Sequence, residues 1–169
     1  SYQINNYFTC YAGLNFQYYN GNLKNFCVSP RAKISFSKNR FTFWADYAQT
    51  AQYLSLYPYF TVKTPVDIWY PLEKNMKPAL CHQYSIGAEQ EIQGGLTLYA
   101  GIFYKKMKHV KDFSSGLSTK YTALTDNMIT GSGHARGVEF NLALEHRKIS
   151  ARFNYTLSES KRKFAEINN

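Results

Sequence analysis

The chain has 169 residues, a formal net charge of +9, and fifteen Tyr beside twelve Phe. That length fits one domain or a piece of a larger one. No run approaches the roughly 18 consecutive apolar residues of a membrane helix, which excludes a helical span but not a span built from strands that alternate their two faces.

The opening Ser1-Tyr2-Gln3-Ile4-Asn5-Asn6 lacks the basic and apolar regions of a signal peptide and reads as a mature or internal start. Alternation then predicts a strand at about residues 7–19, with Phe8, Cys10, Ala12, Leu14, Phe16 and Tyr18 on one face. Thr9, Tyr11, Gly13, Asn15 and Gln17 fall on the other. After Asn20-Gly21-Asn22 and a connection of about nine residues, a second strand is expected over 29–37. Ser37-Lys38-Asn39-Arg40 is a tight turn into a third strand at 40–49, with Phe41, Phe43, Ala45 and Tyr47 outward and Thr42, Trp44 and Asp46 inward.

From Thr50 to Leu80 the alternation stops and Pro58, Pro65, Pro71 and Pro78 punctuate what reads as a long loop. The central hairpin follows, with strands at 82–92 and 96–107 around Gln93-Gly94-Gly95, whose glycines supply the positive φ of a short turn. Strands of about ten residues match what a tilted strand needs to cross a bilayer. A second long loop is expected from Lys106 to Ala135, because the density of glycine in Gly131-Ser132-Gly133 argues for irregular backbone. The last two strands, 136–145 and 149–158, flank the polar turn His146-Arg147-Lys148.

The fold class is thus all-β, an antiparallel up-and-down meander of about seven long strands forming part of a transmembrane β-barrel. Short turns at one end and longer loops at the other match the rims of an outer-membrane barrel. A barrel of the bacterial single-chain type closes on an even number of strands, so residues 1–169 read as a partial barrel that needs neighbouring strands at both edges.

Lys105, Lys106, Lys108 and Lys111 cluster past one strand, and Lys161, Arg162 and Lys163 past another, where strands would emerge among lipid headgroups. No basic strand face interleaved with exposed aromatics extends across neighbouring strands, so no nucleic acid is expected as a partner. Cys10, Cys27 and Cys81 show no CxxC spacing. One disulfide, Cys27 with Cys81, is compatible with their positions near strand ends, but the pairing is not readable from sequence.

Several blocks, in this order, resemble the barrel region of TonB-dependent outer-membrane receptors of the Bacteroidetes type. They are Pro30-Arg31, Gln52-Tyr53, Thr64-Pro65-Val66-Asp67-Ile68-Trp69-Tyr70-Pro71, Lys77-Pro78 and Gln83-Tyr84-Ser85-Ile86-Gly87, followed by Tyr104-Lys105-Lys106-Met107, Gly131 to Glu139, and Tyr155 to Ser160. The resemblance implies a roughly 22-stranded barrel holding a plug, in the bacterial cell outer membrane. It also implies import of a scarce nutrient, be it a siderophore, a cobalamin, a glycan or a peptide, driven by TonB through the plug. The plug domain is absent from residues 1–169. The expected partners are therefore the remainder of the barrel and plug, TonB through that plug segment, outer-membrane lipid, the nutrient ligand and a surface lipoprotein.

Candidate ligand-binding residues are Trp69 and Tyr70, aromatics flanked by prolines in an external loop, and Trp44, directed into the lumen. Glu89 and Glu91 share one strand face and read as lumen carboxylates that meet cations of neighbouring strands, not as a catalytic pair. His82, His109, His134 and His146 have no ligand spacing, so no metal, no cofactor and no enzyme activity is expected. A reading from another class is a soluble β-sandwich serving as a carbohydrate-binding module, with the dry strand faces forming its core.

Overall fold

The computed structural model describes residues 2–21, 24–57, 68–72, 76–113, 128–146 and 148–165. One sheet contains β1 (Tyr2–Gln3), β2 (Phe8–Asn20), β3 (Lys24–Lys38) and β4 (Phe41–Gln52). After a separate two-stranded hairpin, β5 (Leu54–Tyr57) with β6 (Ile68–Pro71), it continues as β7 (Ala79–Ile92), β8 (Leu96–Phe113), β9 (Met128–His146) and β10 (Ile149–Phe164). Each long strand pairs antiparallel with the next in chain order, giving the meander expected from the alternation.

The short turns have the chemistry that two-residue reversals need. Asn39 and Arg40 both have positive φ, 49° and 65°, a primed turn in which Arg40 occupies a position usually given to glycine. Gly94 and Gly95 have φ of 89° and 81°. A Cβ at Gly95 would run into the carbonyl of Glu145, whose amide donates to the Gly95 carbonyl at 2.8 Å, so this turn docks on β9 through bare backbone.

The strands run further than expected at the opposite rim. Only residues 21–23 separate β2 from β3, where nine were anticipated. The region expected as loop from Lys106 to Ala135 is strand up to Phe113 and again from Met128. The glycines read as breakers lie inside β9, and neighbouring side chains occupy the space that a Cβ would fill: Phe164 over Gly131, Met107 beside Gly133, Phe103 over Gly137. The expected loop from Thr50 to Leu80 likewise contains the β5–β6 hairpin, tied back by Leu72 N–H to the Tyr53 carbonyl at 3.1 Å.

Two irregularities shape this rim. The β3–β4 ladder ends at Arg31–Ala48, next to Pro30, which has no N–H to give. Beyond it the Gln49 side-chain amide donates to the Val28 carbonyl at 3.0 Å. In β8 a bulge falls between Lys108 and Val110, with His109 at φ 54°, and reverses which side chains of the last turn of strand face inward.

Large apolar side chains of the outer face are uncovered: Leu14, Phe16 and Leu157 are each 62% exposed. A sandwich would bury that face under a second sheet, and the described residues provide none. Buried apolar residues, Leu72, Ile129 and Phe164, occur instead at the long-stranded rim. The uncovered band slants across the ladder. The row Ile34–Ala45–Ile86–Ile102–Val138–Leu157 marks the band's upper edge on β10, but on β2 and β3 the band continues past it to Tyr18 and Phe26. Its centre climbs roughly seven residues, about 24 Å, over the roughly 29 Å between β10 and β2, an angle of about 40°. That matches the tilt of strands in a membrane barrel, so the band runs level once the strands are tilted.

Cys10, Cys27 and Cys81 are all free thiols. Cys27 on β3 and Cys81 on β7 are separated by β4, so their backbones stand roughly 10 Å apart, too far for the bridge considered from sequence.

Candidate functional site

The face opposite the apolar band is the water-facing wall. Cross-strand rows place Lys33 opposite Asp46, and align Thr42, Glu89, Tyr99, Asn141 and Asn154 in one line. In that line Asn141 Nδ2 donates to Asn154 Oδ1. Glu89, Tyr99, Glu139 and Thr156 share one shallow depression. Glu91 lies in the next row toward the short turn, opposite Thr97, so the two carboxylates share a face, and among the described residues neither forms an ion pair.

Trp44 is directed into this wall, as its parity predicts. Its ring lies 6.1 Å from that of Tyr99, nearly parallel, and Lys33 Nζ sits 5.2 Å above it. It also covers Gly87, where a Cβ would come within 2.5 Å of the indole. Trp44 therefore builds a cationic-aromatic stack that smooths the wall, a packing role made possible by glycine on the next strand. Trp69 is elsewhere, on β6 of the separate hairpin opposite Leu56, and 60% exposed. The side chain of Tyr70 lies outside the described residues. The three candidates thus do not converge: one lies in the wall and the others on the hairpin at the long-stranded rim.

Sequence reasoning missed Tyr99 and Lys33 as partners of Trp44. The signal was available in register, since Ser35 opposes Trp44 and Trp44 opposes Gly87, leaving room beside the ring on both neighbours.

At the upper edge of the apolar band Tyr47, Tyr84 and Tyr104 form one cross-strand row. Tyr47 and Tyr84 rings are 5.1 Å apart, and the Tyr47 hydroxyl bonds His82 Nδ1 at 3.0 Å. Ring bodies on the apolar side and hydroxyls among polar groups form the aromatic girdle of a membrane interface. Beyond the girdle, Lys111 donates to the Lys77 carbonyl at 2.9 Å, and burial pushes its ammonium down to about 8.

An antiparallel wall with a polar face, a slanted apolar face and an aromatic girdle defines a segment of a transmembrane β-barrel. The model of the TonB-dependent receptor-like β-barrel family matches residues 1–169, and the chain belongs to that family. Its members are outer-membrane receptors and transporters, not enzymes, and work as barrels with a plug that engages TonB. No curated protein and no solved structure matches the chain.

Proposed function

We propose that this chain forms part of the wall of a Bacteroidetes-type TonB-dependent receptor in the bacterial outer membrane, importing a siderophore, cobalamin, glycan or peptide. The observation that carries the reading is the strict division of the seven long strands into an uncovered apolar face and a polar one. The apolar face meets lipid, and the polar face lines the passage and meets the plug. Further strands complete the barrel at both edges of the sheet, and TonB acts through the plug. At the outer rim, Trp69 offers the nutrient an exposed aromatic face, with Tyr70 next to it on β6 as a further contact. Trp44 contributes the wall that plug or solute slides against. A surface lipoprotein would sit over the same rim.

Membrane fractionation with and without boiling tests the location. A heat-modifiable band in the outer membrane is expected, and a soluble band of 19.5 kDa would sink the reading. Growth of a deletion strain on each scarce nutrient class then identifies cargo. Trp69→Ala should raise the nutrient concentration needed for half-maximal growth by roughly tenfold, the equivalent of one lost stacking contact. An unchanged requirement would remove Trp69 from the ligand site.

A further inference from the structure

The lipid side of β8, β9 and β10 carries a block of positive charge directly beyond the girdle. Three consecutive rows face the same way: Tyr104–Arg136–Glu159, then Lys106–His134–Lys161, then Lys108–Ser132–Lys163. Like charges set side by side on neighbouring strands repel, and a sheet normally separates or neutralises them. Here neutralisation is partial. Glu159 holds Arg136 at 2.9 Å and Lys161 at 2.5 Å, which uses up the one carboxylate of the block. Lys106, Lys108 and Lys163 make no ion pair among the described residues. They are exposed around a groove of about 620 Å³, in which the rings of Tyr104 and His134 lie nearly parallel, 6.5 Å apart.

The depth of the block identifies its counter-charge. Lys106 and Lys108 lie two and four residues past Tyr104, so at a tilt of about 40° they stand roughly 5 and 10 Å above the girdle. The headgroup layer occupies about 5–8 Å on each side of the hydrocarbon, so Lys106 starts within it and Lys108, just above, reaches back into it along its own side chain. The longer connections put this rim in the outer leaflet, and directly below the block Ile102, Val138 and Leu157 present an apolar strip. We propose that this block binds the phosphate groups of an outer-leaflet lipid, whose acyl chains lie along Ile102, Val138 and Leu157. The assignment rests on the outer-membrane reading above. An acidic protein would satisfy the charges but not the apolar strip continuous with them, whereas a phosphorylated lipid satisfies both.

The test uses the full receptor, purified in detergent, exposed to bis-phosphorylated lipid A or to the same lipid after phosphatase treatment, with bound lipid read by native mass spectrometry. The variant K106Q/K108Q/K163Q should bind the phosphorylated lipid roughly 10- to 100-fold more weakly than the parent. The control K105Q, on β8 but the opposite face, should bind as the parent does, and the dephosphorylated lipid should not distinguish the three proteins. Equal binding of phosphorylated lipid by parent and triple variant, with heat-modifiable migration intact in both, would overturn the lipid site and leave the barrel standing. Equal loss of both lipids in the triple variant would also overturn it, as would an acidic protein captured in place of lipid. Failure of the parent itself to show heat-modifiable migration would overturn the barrel reading and the site together.

Discussion

Two stretches of the same three strands, β8 to β10, follow opposite rules. Below the row Tyr104–Arg136–Glu159, Ile102, Phe140 and Leu157 point outward, at 54%, 50% and 62% exposure, while Glu139, Asn141 and Thr156 face the lumen. Above it lysines point outward, and Ile129 and Phe164 are buried at 4% and 6%. The ladder runs through both stretches, so backbone pairing does not explain the reversal. What changes is the medium outside: below the girdle it is hydrocarbon, which takes the part of a core, and above it are hydrated headgroups and then water, which oblige the strands to build a small core of their own.

The sharpest way to break this contrast is truncation on each side of it. Ile129→Ala should destabilise the outer rim by about 2–4 kcal/mol, because a cavity forms in a packed aqueous site. Ile102→Ala should cost about 1–2 kcal/mol, the transfer part alone, since lipid chains refill the space. Urea unfolding of the lipid-reconstituted receptor, followed by exchange of rim amides, reads both. Equal costs would show that the two stretches share one solvent.

Arginine scanning locates the boundary. An arginine replacing Leu98, six residues below the girdle on the same face, should cost about 2–4 kcal/mol and one replacing Tyr104 about 0–1 kcal/mol, the dependence on depth expected from midplane to interface. A flat profile would misplace the girdle. At the other end of the strands, Arg40→Gly should stabilise the β3–β4 turn by about 0.5–1 kcal/mol, by relieving the left-handed backbone of a non-glycine residue. It should leave rim exchange unaltered.

The smallest effect is a pH dependence confined to the outer rim, small because Lys111 is only half-buried and solvent screens most of the shift. Burial lowers the Lys111 pKa to about 8 in the folded chain, against about 10.4 when unfolded. Between those values the unfolded state binds more protons, so rim stability should rise as pH increases from about 8 to about 10. Protection of β8 amides near Lys111 should follow that slope in the parent and lose it in Lys111→Met.

The band was legible in the sequence because alternation leaves a period of two that no loop mimics over ten residues. Phe41, Phe43, Ala45 and Tyr47 against Thr42, Trp44 and Asp46 is enough to orient β4. The turns were equally legible, since Gly94-Gly95 and Asn39-Arg40 carry their backbone requirement in their identity or position. The outer rim was not. Gly131-Ser132-Gly133 has the composition of a loop, and only the fold brings Phe164 and Met107 over those glycines. The β5–β6 hairpin was hidden for a similar reason: Pro71 closes a strand of a two-stranded unit, where one missing donor costs little. Of the candidate site, the inward direction of Trp44 followed from parity, but its stack with Tyr99 and Lys33 depended on register between strands far apart in the chain.

The interruption beside Pro30 gives the wall a mechanical seam. Above Arg31–Ala48, among the described residues, the upper part of the β2–β3 hairpin is held to β4 and the residue following it by the Gln49 amide on the Val28 carbonyl and the Cys27 sulfur, and by the stacked rings of Tyr19 and Tyr53, 5.3 Å apart. A load applied to the tip of that hairpin meets those few attachments one after another, and only at Arg31 does it meet the continuous ladder. Leu14, Phe16 and Phe26 above the seam still belong to the uncovered apolar band, so there the wall is closed against lipid by a few side-chain attachments where elsewhere a ladder closes it.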